Sequence, residues 1–357
     1  MSSTTSTVGP VITSTTAATV TTTTTTAPMS TTYVVWTSGG LTDGTVAALE
    51  DRFEVLSIVS GDAAPLDVGG GEVVPLDAIA IDIGSHSWFD TEGETSALRP
   101  GTVLLGESSA EFREAAAGDF LSFGGVEFEV VGVVSDELVG AAEVVFARAD
   151  PGSPVATNRY ALVSTTMNRA EFEFLVQSVN DAPVPVRIRA EGETPLLRHA
   201  DGVLPQIHIK QALGEFSYPA DTGAQLEQDE VWMSENLVIE ELPILGTVTC
   251  HRVVMEMAEG ALNQVVEEGL AALVRPEDFA GCWNARFVRT VTGEPSGVSR
   301  HSWGAALDIN ARSNLMGTEG DMDPRLVEIF EQWGFLWGGN WAVPDPMHFE
   351  YGIWPED

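Results

Sequence analysis

The chain is short of positive charge. Its 357 residues hold 53 acidic side chains against 17 basic ones, a formal net charge of −36. Sixteen of the bases are arginines, and Lys210 is the one lysine. So acidic a surface repels phosphate backbones and anionic lipid heads, which argues against nucleic-acid and membrane-surface binding. The deficit is spread along the chain: residues 1–222 carry 30 acids and 10 bases, residues 223–357 carry 23 and 7. It marks neither a tail nor a site, and reads as a solubility or salt-adaptation trait of the whole surface. No apolar run reaches the ~18 residues a membrane helix needs, so no transmembrane segment is expected. The first residues hold neither a basic segment nor an apolar run of leader length. Either the chain is not exported by that route, or Met1 is not the true start. Cysteine is scarce: Cys250 and Cys282 suit one disulfide outside the cell and equally two buried thiols inside it.

What is present reads as globular. Hydrophobic residues make up 44% and charged residues 20%, which excludes wholesale disorder. The length suggests about two domains at ~150 residues each. Residues 1–32 contain twenty Thr or Ser and read as a disordered linker, either an extracellular stalk or a plain tail. From Tyr33 to about residue 190, short β-rich runs alternate with Gly, Pro and Asp turns, giving a β-rich α+β domain. Strands are expected at Ala78–Ile83, Thr102–Leu105, Val126–Val134 and Val144–Ala147. Helices are expected at Asp43–Arg52 and Ser108–Ala117. Ala182–Arg189 reads as a proline-limited edge strand. His86 beside Trp88, His199 and His208 read as structural or exposed.

Residues 191–357 differ in texture, and six of the nine tryptophans follow residue 280. A helix is expected over Val253–Leu273, with Val254, Met257, Ala258, Ala261, Val265 and Ala272 on one face. A second is expected over Asp323–Trp333, capped by Asp323 and stopped at Gly334. Strands are expected at Thr247–Cys250, Ala305–Ile309 and Met347–Tyr351.

The chemistry concentrates in two clusters. Ser299–Asn310 contains His301 and Asp308; 37 residues after Asp308 comes Asp345-Pro-Met-His348-Phe-Glu350. Hydrolytic zinc takes three ligands from His and carboxylates and keeps a fourth position for water. His301, Asp308 and His348 supply such a set. Asp345 lies three residues before His348, where a turn brings its carboxylate close without ligation, the position of a general base. Arg286 and Arg289, scarce cations shortly upstream, are candidates for stabilising an oxyanion. Either cluster alone is a weak signal, because Asp-Pro also forms turns and tryptophans more often build core. The assembled order within 63 residues is what carries weight.

Those residues resemble a known family. Ser299, His301, Gly304, Ala306 and Asp308 match the S-x-H-x-x-G-x-A-x-D motif of zinc D-alanyl-D-alanine carboxypeptidases (VanY type), D,D-dipeptidases and L-alanyl-D-glutamate endopeptidases of bacterial cell walls and phage lysins. The DPMHFE ending is the second match. The resemblance implies an α+β fold of the Hedgehog/D,D-peptidase type, in which a small antiparallel sheet carries the metal. It implies Zn2+ on His301, Asp308 and His348, with Asp345 as base where many relatives have Glu. It implies substrate contacts from Ser299 and, beside the second cluster, Trp341. Arg286 is the favoured oxyanion residue and Arg289 the second. Glu350 either orients a ligand or is a plain strand residue, and His251 is a rival ligand only if the spacing argument fails. Cys250 and Cys282 flank the long helix in family-like segments, which favours a disulfide. Residues 101–150 separately resemble the extracytoplasmic domain of macrolide-export and lipoprotein-release permeases, which suggests an envelope partner for residues 33–190.

The expected activity is therefore hydrolysis of peptidoglycan stem peptides at bonds involving D-amino acids, foremost as a D-alanyl-D-alanine carboxypeptidase. The expected location is extracellular or at the cell wall. The alternatives are an L-alanyl-D-glutamate endopeptidase, a non-catalytic cell-wall-binding adaptor, and a cytosolic dipeptidase acting on free D-Ala-D-Ala.

Overall fold

β-Branched runs bounded by turn residues pair across long stretches of the chain. The structure, a computed structural model, describes residues 30–355 apart from 38, 84–89, 91–92, 141, 191–203, 224, 290–294 and 342. His86, Trp88 and His199 lie outside the described residues. Among those described, a nine-stranded mixed sheet runs in the spatial order Arg187–Ala190, Thr31–Trp36, Asn158–Thr165, Glu54–Ala63, Asp77–Ile81, Val144–Ala147, Thr102–Gly106, Val126–Val134, Phe120–Phe123. Two neighbouring pairs are parallel: Asp77–Ile81 with Val144–Ala147, and Thr102–Gly106 with Val126–Val134.

Alternation along the strands fills both faces of this sheet. Ile79 and Ile81 join one core cluster, while Ala78 and Ala80 join another. Val34 likewise packs on one face and Val35 on the other, against Phe172 and Val176 of the helix Arg169–Val179. Helix Asp43–Arg52 begins where expected, with Thr42 Oγ1 accepting from the Thr45 amide. Three expectations need adjustment. Thr31 and Thr32 are strand residues paired with Thr165 and Ser164, so the ordered sheet starts inside the stretch read as linker. Helix Glu107–Arg113 is shorter than expected, because Glu114 takes a left-handed conformation that ends it. The strand after Pro183 and Pro185 spans Arg187–Ala190 and does sit at the sheet edge.

The C-terminal part wraps small sheets around the helix Arg252–Glu267. That helix buries Val254, Met257, Ala258, Ala261 and Val265 on one face, as the periodicity requires. It stops well before Leu273. Gly269 has φ +73°, and the Leu270 amide bonds back to the Val265 carbonyl, closing a Schellman-type end. Helix Pro324–Gln332 is capped by Asp323, whose Oδ1 accepts from the Arg325 amide. The strands Ala306–Asp308, His348–Tyr351 and Phe335–Trp337 form an antiparallel sheet with His348–Tyr351 in the centre. A disulfide joins Cys250 to Cys282 across 32 positions, stabilising by about 3–4 kcal/mol in the chain-entropy model. The whole is mixed helix and sheet, with a large β-rich part and small antiparallel sheets toward the C-terminus.

The two parts are tied together. Tyr218–Pro219 pairs with Glu72–Val74 in a small three-stranded sheet. Lys210, on the helix Gln206–Leu213, is fully buried and places Nζ 2.7 Å from Glu143 Oε1 and 2.9 Å from Glu215 Oε1. Arg113 completes the cluster at 3.2 Å from Glu143 and 2.8 Å from Glu215. Among the described residues, no helix is long and apolar enough to cross a membrane.

Candidate metal centre and cleft

His301 sits in a single 3-10 turn, Arg300–Trp303, that begins at Ser299. Ser299 Oγ accepts from the His301 amide, and the Ser299 amide donates to the Arg286 carbonyl. The turn closes on Gly304 at φ +60°. A Cβ there would lie 2.6 Å from the His251 backbone nitrogen and 3.1 Å from the Cys250 carbonyl carbon. Glycine is thus demanded twice, by conformation and by space. His301 Nδ1 donates to the Cys282 carbonyl at 2.7 Å, since a carbonyl only accepts. That bond commits one ring nitrogen and turns Nε2 inward.

Asp308 and His348 come from different strands but face each other. They are direct register partners in the antiparallel pair, so their side chains share one face of the sheet. Asp308 Oδ1 lies 2.9 Å from His348 Nδ1, and Asp308 Oδ2 lies 3.2 Å from His301 Nε2. One donor atom from each of the three residues falls within 4.8 Å of the others. All three residues are buried, at 3%, 8% and 7% exposure for His301, Asp308 and His348.

The donor set fits a zinc ion. Buried polar atoms are nearly always partnered, yet His301 Nε2 is buried without an aligned hydrogen bond. Its neighbours are the atoms that would complete a two-nitrogen, one-oxygen ligand set. Glu350 lies two residues beyond His348 on the same strand face, with Oε2 3.2 Å from His348 Nε2. It therefore acts on the imidazole rather than being a plain strand residue.

Electrostatics reflect this crowding. Burial opposes charge on Asp308, but hydrogen bonds and charge from the two imidazoles outweigh it and hold the carboxyl well below its usual range. Burial alone would depress His348; the carboxylates of Asp308 and Glu350 override it and push the imidazole up to about 10. Burial raises the Asp345 carboxyl above the usual range, against the pull of the His348 charge.

These residues open onto a cleft of about 470 Å³. Asp345 lines it, half-buried, on a turn whose carbonyl receives the His348 amide at 3.0 Å. Its Oδ1 is buried without a partner. Arg286, Ser299 and Trp341 line the same cleft, and the Trp341 ring centroid lies 5.2 Å from that of His348. The Arg289 backbone belongs to the strand Phe287–Arg289, and its side chain lies outside the described residues. His251 stands apart from the metal donors, capping the helix Arg252–Glu267 by accepting from the Val253 amide. His208 packs against Trp354 on the C-terminal side of the fold.

Sequence reasoning missed part of the cleft wall. Asp77 and Arg159, from the β-rich part, and Gln206 and Arg300 also line it. Nothing local in the sequence signals Asp77 or Arg159, because only tertiary packing brings them to this cleft.

Comparison with known proteins gives one family and two kinds of structural likeness. Residues 292–351 match the family model described as D-alanyl-D-alanine carboxypeptidase. The match spans the Ser299–Asp308 motif and the Asp345–Glu350 ending, while Arg286 and Arg289 fall before it. No curated protein matches the chain. The periplasmic region of MacB from Actinobacillus actinomycetemcomitans is similar at 14% identity, over 45% of this chain and 88% of that one, with a TM-score of 0.32. The extracellular domain of the noncanonic ABC-type transporter YknZ from Gram-positive bacteria is similar at 13% identity, over 44% and 99%, with a TM-score of 0.29.

Proposed function

We propose, from the premise of that family match, that the chain is a zinc metallopeptidase acting on peptidoglycan stem peptides, foremost as a D-alanyl-D-alanine carboxypeptidase. The observation that carries the reading is the buried Nε2 of His301, without an aligned hydrogen bond and gathered with the carboxylate of Asp308 and the imidazole of His348. His301 Nε2, Asp308 and His348 Nδ1 would hold the metal. Zinc bound there supplies a Lewis acid and makes water acidic enough to attack near neutral pH.

The remaining work falls to side chains. Asp345, raised by burial, accepts the proton of the attacking water and hands it to the leaving amine. Arg286 lines the cleft close enough for its charge to act on Asp345, and it offsets negative charge developing on the scissile carbonyl oxygen. Ser299 and Trp341 position the peptide, and Glu350 holds the His348 ring. In this reading residues 191–357 form a Hedgehog/D,D-peptidase-type domain, and residues 33–190 form the separate β-rich domain that meets an envelope partner. The proposed stem-peptide substrate and the disulfide both support a location outside the cell or at the wall.

The test is metal analysis of the purified chain together with mass spectrometry of defined muropeptides after incubation. Loss of one D-Ala supports the carboxypeptidase, and release of L-Ala-D-Glu fragments moves the assignment to an endopeptidase. Zinc without any product overturns the enzyme in favour of a wall-binding adaptor.

A further inference from the structure

The cleft has a second wall that the family match does not cover. Arg159 reaches it from the nine-stranded sheet, more than 120 positions before any proposed metal ligand. Two features aim this side chain. Arg159 is the extra residue of a β-bulge: Asn158 pairs with Ser60 and Tyr160 with Val59, leaving Arg159 without a register partner. A bulge re-aims its side chain relative to the regular alternation. The stem of Arg159 then lies across Gly61, where an added Cβ would meet Arg159 Cβ and Cγ at 3.3 Å. The missing side chain at position 61 is the seat for the arginine.

The charges point the same way. In a chain with 17 bases in all, Arg159, Arg286 and Arg300 line one cleft. Among the described residues, no hydrogen bond or ion pair holds the Arg159 guanidinium. Its acidic neighbour Asp77 is pushed toward its neutral form by burial, and Arg300 acts on that carboxyl more strongly than Arg159 does. Arg300 is itself engaged, with Nη2 donating to the Leu204 carbonyl. Arg159 is left as the planar, bidentate donor best placed for an incoming anion.

We propose that Arg159 is a specificity-determining residue that binds a carboxylate of the substrate peptide remote from the scissile bond, so that the β-rich part completes the substrate site. The proposal rests on the peptidase reading for the identity of the anion, a peptide carboxylate. It does not depend on turnover.

The experiment compares an acidic stem peptide with the same peptide amidated at its carboxylates away from the scissile bond. Affinities are measured by calorimetry on the zinc-loaded full chain carrying Asp345→Asn to prevent cleavage, with and without Arg159→Gln. The expected result is a preference of about tenfold for the free acid, lost in Arg159→Gln. Arg159→Lys keeps the charge without the fork and retains part of the preference. On the active chain, Arg159→Gln raises KM for the free acid alone and leaves kcat unchanged. A preference that survives Arg159→Gln and Arg159→Lys, or an equal loss for both peptides, overturns the proposal. If the active chain cleaves neither peptide but the Arg159-dependent preference is present, the peptidase reading fails and the assignment of Arg159 stands.

Discussion

Nε2 of His348 stands 3.2 Å from Oε2 of Glu350. A carboxylate only accepts, so this ring nitrogen carries a proton and donates it. The bond fixes Nδ1 as the edge presented to Asp308 and to the metal donors. Such outer partners set ligand orientation and basicity, and losing one costs 10–100-fold in metal affinity. Under the proposed function, Glu350→Ala is therefore expected to weaken zinc binding by roughly that factor in a chelator competition. Glu350→Gln, whose amide oxygen still accepts, loses less. Unchanged affinity in both variants would remove Glu350 from the metal site.

Under the proposed function, Asp345 separates metal binding from chemistry. It is three residues from His348 and opens onto the cleft with one carboxylate oxygen unpartnered. Under the proposed function, Asp345→Asn keeps zinc stoichiometry at the wild-type value and lowers kcat by at least about 10²-fold, the usual span for a lost general base. Asp345→Glu restores part of the rate, since the acid is kept and only its reach changes. Zinc content and muropeptide turnover measured on the same preparations check this. Full activity in Asp345→Asn would assign the base elsewhere.

The two candidate ligand clusters are legible because their order and spacing lie on the chain itself. What joins them is not local. That Asp308 lies opposite His348 is a matter of strand register, fixed by which faces of Leu307 and Phe349 enter the core. The contact of Glu350 with His348 follows from the same strand, and sequence alone leaves its role open. The end of the helix at Glu267 was available in Gly269, a stop signal placed just after the last buried position, but continued apolar spacing through Ala272 outweighed it. Arg159 could not be read at all. A bulge leaves no mark in one strand's composition, because it is a mismatch between two strands.

His251 gives the fold an acid-sensitive point away from the candidate metal centre. Burial lowers its imidazole to about 4, and as helix cap it must keep Nδ1 unprotonated to accept from the Val253 amide. Between pH ~6.5 and about 4 the unfolded chain therefore binds the proton and the folded chain does not. The contribution is fully present above pH ~6.5 and is lost as pH falls through that window. Its size is on the order of 1–2 kcal/mol, from ~1.4 kcal/mol per pKa unit discounted for partial solvation. His251→Asn keeps an acceptor and does not titrate, so its stability curve should be flatter than the parent's over this range in urea unfolding. Parallel curves would place the acid sensitivity in other groups.

The chain's one lysine holds the two parts of the fold together. Lys210 Nζ bonds both oxygens of Glu143, at 2.7 and 3.0 Å, and also reaches Glu215. Glu143 is completely buried, and its other cationic partner, Arg113, is shared with Glu215. Removing Lys210 leaves two carboxylates competing for one guanidinium in a largely buried site. Breaking a buried pair from one side costs about 3–5 kcal/mol, far more than an exposed pair. Lys210→Met is expected to destabilise by that order in denaturant unfolding. Adding Glu143→Gln, which removes the stranded charge but keeps an acceptor for the Gln206 amide, should recover a substantial part. If the double variant is no more stable than Lys210→Met, the loss comes from packing around the lysine stem and not from the uncompensated carboxylate.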